Sequence, residues 1–133
     1  MKHTSKLYLT WDDIVDVVDY IYSYSSILAA HKQQTISGVY GLPRGGLVLA
    51  VLVSHKLEVP LLSAPADNCI IIDDICDSGE SLSHYISNSS NSVSSKNYHI
   101  ATAVIRKDCK YIDNIIYRDI VDPGVWVVFP WEV

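Results

Sequence analysis

The sequence predicts an α/β domain with a mostly parallel central sheet and helices on both faces. Three observations predict it. Short strand-like runs alternate along the chain with segments of helical apolar spacing. The run Ile70-Ile71-Ile72 is continuously β-branched, as a strand covered on both faces requires. Two of the strand-like runs, at residues 36–40 and 70–72, end in small or polar loops that lead into helices, the connection that open parallel sheets use at their ligand-binding edge.

Taken in order, Leu7, Tyr8 and Leu9 form an apolar lead-in to a helix. Thr10 is its predicted N-cap, with Asp13 in a capping-box-like position. Ile14, Val17, Val18, Ile21 and Tyr22 then recur on one helical face. Residues 36–40 read as a strand that ends in Gly41-Leu42-Pro43-Arg44-Gly45-Gly46 and opens an apolar helix over residues 47–57. A Gly-rich turn carrying one Arg suits an anion, through backbone N–H groups and a guanidinium, and also serves as a plain connection. His55, inside the helix, reads as a rim or core histidine with no catalytic part. Residues 60–62 offer a third short strand.

The stretch from Ile70 to Leu82 carries most of the chemistry. Asp73 and Asp74 follow where the apolar strand would end, then Asp77-Ser78-Gly79-Glu80-Ser81 leads into Leu82, Tyr85 and Ile86 at helical spacing. Free N–H groups at a helix start, with the Ser78 and Ser81 hydroxyls, suit a phosphate. Gly79 supplies the unusual dihedrals that such a loop needs. Adjacent carboxylates can accept from a vicinal diol or help hold a hard cation such as Mg²⁺. The acidic pair alone better fits a buried strand ending in a solvated acidic turn that caps the next helix; with the loop from Asp77 to Ser81 attached, the balance reverses towards the anion site. The helix is expected to run to about Ser87, and the Ser/Asn-rich residues 88–97 read as a solvent loop.

Residues 98–105 form the next expected strand, ending in the basic pair Arg106-Lys107 and Asp108. That pair fits either the ligand edge or a solvated strand end. Asn114 to Tyr117 is another expected strand. In the tail Trp126-Val127-Val128-Phe129-Pro130-Trp131-Glu132, the ring of Trp126 offers a flat face for a base or packs in the core.

The 133 residues, read as a single domain over 1–133, are 49% hydrophobic and 19% charged, with a formal net charge of −5. That is a globular composition, and the acidic balance argues against a nucleic-acid groove. Cys69, Cys76 and Cys109 lack metal-ligand spacing and read as reduced thiols. No apolar run approaches membrane-spanning length and no signal core follows the N-terminus, so neither nucleic acid nor membrane is an expected partner and the expected location is cytoplasmic.

The stretch around Asp73 resembles the phosphoribosyl pyrophosphate (PRPP) motif of type I phosphoribosyltransferases: hydrophobic residues, two acids, a spacer, then Ser-Gly-x-Ser. The tail closely resembles the C-terminal segment of the 6-oxopurine members, which act on xanthine, guanine or hypoxanthine. The resemblance implies that Asp73 and Asp74 face the ribose hydroxyls with Mg²⁺, and that Asp77, Ser78, Gly79, Glu80 and Ser81 cradle the 5′-phosphate. It gives Asp77 a catalytic part at the purine N7 proton, and it places Arg44 and Gly45 on the pyrophosphate. Lys107 would donate to the base O6, Trp126 would stack on the purine, and Val127 would offer backbone groups to its C2 substituent; Trp131 would be structural. The implied activity is transfer of phosphoribosyl from PRPP to a 6-oxopurine, by a homodimer or homotetramer. One departure stands out. Family members insert a long hood loop before the acidic strand, whereas only residues 63–68 separate Leu62 from Cys69 here, enough for a turn and too few for a lid. That deletion keeps a catalytically weak PRPP- or nucleotide-binding regulator in view, beside an enzyme for another base; an RNA-binding regulator of this fold is disfavoured by the acidic balance.

Overall fold

The computed structural model describes residues 5–80, 82, 97–110 and 114–132. In chain order these form β1 (Ser5–Tyr8), α1 (Trp11–Ser23), α2 (Ser25–Lys32), β2 (Val39–Gly41), α3 (Gly46–Leu57), β3 (Cys69–Cys76), β4 (Tyr98–Arg106), β5 (Ile116–Val121) and β6 (Val125–Val128), with a short 3₁₀ turn at Pro130–Glu132. The expected alternation of strand and helix holds from β1 to β3, whereas β4, β5 and β6 follow one another with no helix between them among the described residues; every strand pairing among those residues is parallel.

Strands β2, β3, β4 and β5 lie side by side in that order, and β1 pairs with β6 in a separate two-stranded sheet. Because side chains alternate along a strand, β3 feeds two cores. Ile70 and Ile72 pack with Ile14, Val17, Leu49 and Val53 of α1 and α3. Cys69 and Ile71 pack into a second layer with Leu82, Ile100, Ile105, Cys109 and Ile115. Glu80 and Leu82 have helical backbone, so the phosphate-loop helix begins where the sequence places it. Its expected course to Ser87, like the loop from 88 to 96, lies outside the described residues.

The capping box of α1 forms as predicted. Asp13 N–H donates to Thr10 Oγ1 at 3.1 Å, and Thr10 N–H donates to Asp13 Oδ2 at 2.8 Å. Helix α3 begins at Gly46, one residue ahead of expectation, where a Cβ would meet the backbone of β3 at the Ile72 carbonyl oxygen and Asp73 Cα. Only glycine lets the helix start this close to the strand.

Several elements differ from expectation. β3 does not stop at its acids; it runs through Asp73 and Asp74 to Cys76, because β4 is long enough to offer partners as far as the Cys76–Ile105 register. Residues 60–62 supply only a single bridge, between Leu61 and Val39. The strand expected at 114–117 begins at Ile116 and continues to Val121. The lead-in at residues 7–9 contributes to β1, whose partner lies at the far end of the chain. Among the described residues, no helix is long and apolar enough to cross a membrane.

Candidate active site

Asp73 and Asp74 sit in the second half of β3, half-buried. Each carboxylate accepts a backbone N–H from the following residue, Asp74 N to Asp73 Oδ1 at 2.9 Å and Ile75 N to Asp74 Oδ1 at 2.8 Å. These bonds fix both side chains against the backbone. Burial first, and the neighbouring Asp74 charge second, push Asp73 up to about 7. Burial also raises Asp74, with Glu132 adding to the rise from the other side. Two carboxylates held together out of water resist ionising together, and a divalent cation would relieve that repulsion.

The two acids serve different neighbours. Asp73 lines a small cavity of about 80 Å³ with Ile75, Cys76, Asp77, Ser78, Gly79 and Leu82. Gly79 has φ of 87°, a left-handed conformation that a side chain would strain, which is the role the sequence assigned to it. Ser78 Oγ accepts from Glu80 N–H at 3.1 Å, so its hydroxyl also holds the turn. Ser81 lies outside the described residues. On the other side, Asp74 faces the turn after β2: a Cβ on Gly45 would fall 2.6 Å from Asp74 Cγ. Gly45 and the exposed Arg44 line an open cleft of about 500 Å³ with Trp131 and Glu132. Trp131 is fixed there by Phe129, stacked at 5.0 Å, and by Trp11 at 6.0 Å. An anion in the cleft would meet one guanidinium, with the Glu132 carboxylate in the same lining and Asp74 next to it.

A third group closes the edge. Arg106 ends β4, and its Nε reaches Asp77 Oδ1 at 2.8 Å. Its Nη1 donates to the carbonyl of Val125. Lys107 N–H donates to Val121 O at 2.8 Å, and its ammonium lies 3.8 Å from Asp122, both side chains exposed. Trp126 on β6 is 48% exposed, whereas the Val127 side chain is in the core. Because Arg106 bonds to Val125, the residues that follow them, Lys107 and Trp126, flank the same bridge.

Among the solved structures that match, three share this fold over nearly the whole chain. A purine phosphoribosyltransferase from Pyrococcus horikoshii Ot3 is 22% identical with a TM-score of 0.76, covering 98% of this chain and 95% of its own. The Helicobacter pylori xanthine-guanine-hypoxanthine phosphoribosyltransferase is 15% identical at a TM-score of 0.70, over 96% of this chain and 94% of its own. This chain has the type I phosphoribosyltransferase fold. A hypothetical protein from Neisseria gonorrhoeae, solved with bound ppGpp, shares it at 15% identity and a TM-score of 0.63, over 100% of this chain and 91% of that one. No sequence family matches the chain, and no curated protein does.

On this phosphoribosyltransferase fold, the sequence-expected residues fall into three connected groups. Asp73 joins Asp77, Ser78 and Gly79; Asp74 faces Gly45, which follows Arg44; and Lys107 and Trp126 each directly follow one partner of the Arg106–Val125 bond. Asp77 is not free-standing: its carboxylate is engaged by Arg106. Sequence reasoning noted Arg106 only as half of a basic pair. The signal was there, since an Arg that directly follows the apolar run 100–105 continues a buried strand and needs buried partners. Glu132 was missed and Trp131 was read as structural alone; both line the Arg44 cleft. The two carboxylates suit Mg²⁺ in part. Among the described residues there is no cluster of three metal-binding side chains, so further ligands would have to come from substrate oxygens and water, as is usual for this ion.

Proposed function

We propose that the chain transfers the phosphoribosyl group of PRPP to a 6-oxopurine, giving a nucleoside monophosphate and pyrophosphate. The observation that carries this reading is the position of the acidic pair. Asp74 sits against the Gly45 turn and Asp73 sits in the Ser78–Gly79 cradle, so a diol spanning the pair has an anion site at each end. PRPP has that layout, with a pyrophosphate on one side of its ribose diol and a 5′-phosphate on the other.

In this reading Arg44 and the backbone around Gly45 hold the pyrophosphate, and the loop from Asp77 to Ser81 holds the 5′-phosphate. Asp73 and Asp74 would be the residues that hold Mg²⁺, which when bound would supply charge neutralisation for the leaving pyrophosphate; their free carboxylate oxygens would accept from the ribose hydroxyls. With the ribose diol on this pair, the same carboxylates would stabilise positive charge developing on the sugar. Trp126 stacks on the base, Lys107 donates to its O6, and the Val127 backbone meets its C2 side. Asp77, oriented by Arg106, faces the base N7.

A second reading is a nucleotide-binding regulator. The short 63–68 connection favours it, and so does the ppGpp carried by a neighbour of the same fold. The experiment is a turnover assay with PRPP and Mg²⁺ against guanine, xanthine, hypoxanthine and adenine, following nucleotide and pyrophosphate separately. Nucleotide from a 6-oxopurine, reduced below about a hundredth in Asp73→Asn and Asp74→Asn, is the expected result. Binding of PRPP or ppGpp with no product of either kind would give the regulatory reading the protein.

A further inference from the structure

Arg106 is buried, its side chain only 8% exposed, while Asp77 opposite it is 75% exposed. A buried guanidinium has five N–H groups to satisfy in a fixed plane. Here they reach two separate loops. Nε binds Asp77 Oδ1 at 2.8 Å, in the phosphate cradle. Nη1 donates to the carbonyl of Val125, with longer contacts to Asp122 O at 3.4 Å and Pro123 O at 3.5 Å. Those carbonyls form the turn that delivers Trp126. The chain leaving β4 adds a weaker tie, Lys110 N–H to Ser78 O at 3.3 Å.

We infer that Arg106 is a positioning residue that sets the spacing between the phosphate cradle and the base-side turn, keeping both ends of one bound nucleotide in register. This rests on the phosphoribosyl-transfer reading above. A point charge cannot replace two nitrogens fixed in one guanidinium: lysine can still face Asp77, but it cannot at the same time hold the Val125 carbonyl that Nη1 holds. The phosphate half and the base half of the role are therefore separable by substitution.

The test uses calorimetric titration of two ligands into the wild-type chain, Arg106→Met and Arg106→Lys, with thermal melts to confirm folding. Ribose 5-phosphate occupies the cradle alone; guanosine 5′-monophosphate spans cradle and turn. Arg106→Met should weaken ribose 5-phosphate on the order of tenfold and the nucleotide on the order of a hundredfold. Arg106→Lys should bring ribose 5-phosphate back to within about threefold of wild type while the nucleotide stays about tenfold weaker. Equal losses for the two ligands in Arg106→Lys would overturn the inference, as would unchanged nucleotide binding; a merely structural arginine lowers the melting temperature and leaves that ratio alone. Should Arg106→Met fail to fold, the ratio in Arg106→Lys decides by itself. A wild-type chain that binds no ribose 5-phosphate would overturn the proposed transfer itself, and the inference with it.

Discussion

At Asp73, the proposed function and stability pull in opposite directions. Its carboxyl is raised from the ordinary 3.8 to about 7 by burial and by Asp74. Between those two values the folded chain binds a proton that the unfolded chain releases, so unfolding free energy falls as pH climbs through that window. Asp73→Asn removes the penalty. The variant should be more stable than wild type at pH 8, by about 1 kcal/mol, with the difference gone by pH 4. Denaturant melts at the two pH values measure it, and a variant less stable than wild type at pH 8 would refute the burial argument. Gly45 makes a different demand. A methyl group there would displace the Asp74 carboxylate, which the Ile75 N–H already holds at 2.8 Å and which cannot turn away without losing that bond. Gly45→Ala should lower kcat/KM for PRPP by between about tenfold and a hundredfold, with a smaller effect on the melt.

The elements that could be read from sequence are those whose determinants are local. Thr10 and Asp13 announce α1 because both halves of the capping box lie within four residues, and Thr10→Ala should cost about 1 kcal/mol in a urea melt. Helix α3 is legible from its apolar run and the glycines before it. Its contact with β3 is not, yet it costs more to disturb. Gly46→Ala places a methyl against the backbone of Ile72 and Asp73, neither of which can rotate away, and should destabilise by about 2 kcal/mol. An equal or smaller loss than that of Thr10→Ala would mean that α3 can slide off the strand. Helix α2 escaped notice because it has no side-chain cap and buries only Ile27. Strand β1 escaped because all four of its residues are exposed, and its partner β6 begins at residue 125. Where a partner lies that far along the chain, no local pattern records it.

Across the whole molecule the same distinction separates the acids and glycines of the site from the bridge that joins them. Asp73, Asp74 and Gly79 stand in one continuous motif, and so could be read directly. Arg106 meets Asp77 and Val125 only after β3, β4 and the turn into β6 have assembled, so its task was invisible along the sequence. The short connection at 63–68 was visible, and the structure shows it as bends and turns leading straight into β3. It has a consequence for the chemistry. Among the described residues the cleft of Arg44, Gly45, Trp131 and Glu132 stays open on this side, and in the proposed transfer a cationic sugar centre formed there would be exposed to water as well as to the base. Water is always present, whereas the base competes only in proportion to its occupancy. With PRPP saturating, the ratio of pyrophosphate to nucleotide should therefore exceed one and rise as the purine concentration falls below its KM. A ratio fixed at one across all purine concentrations would mean that the reacting carbon is sealed from water despite the short 63–68 connection.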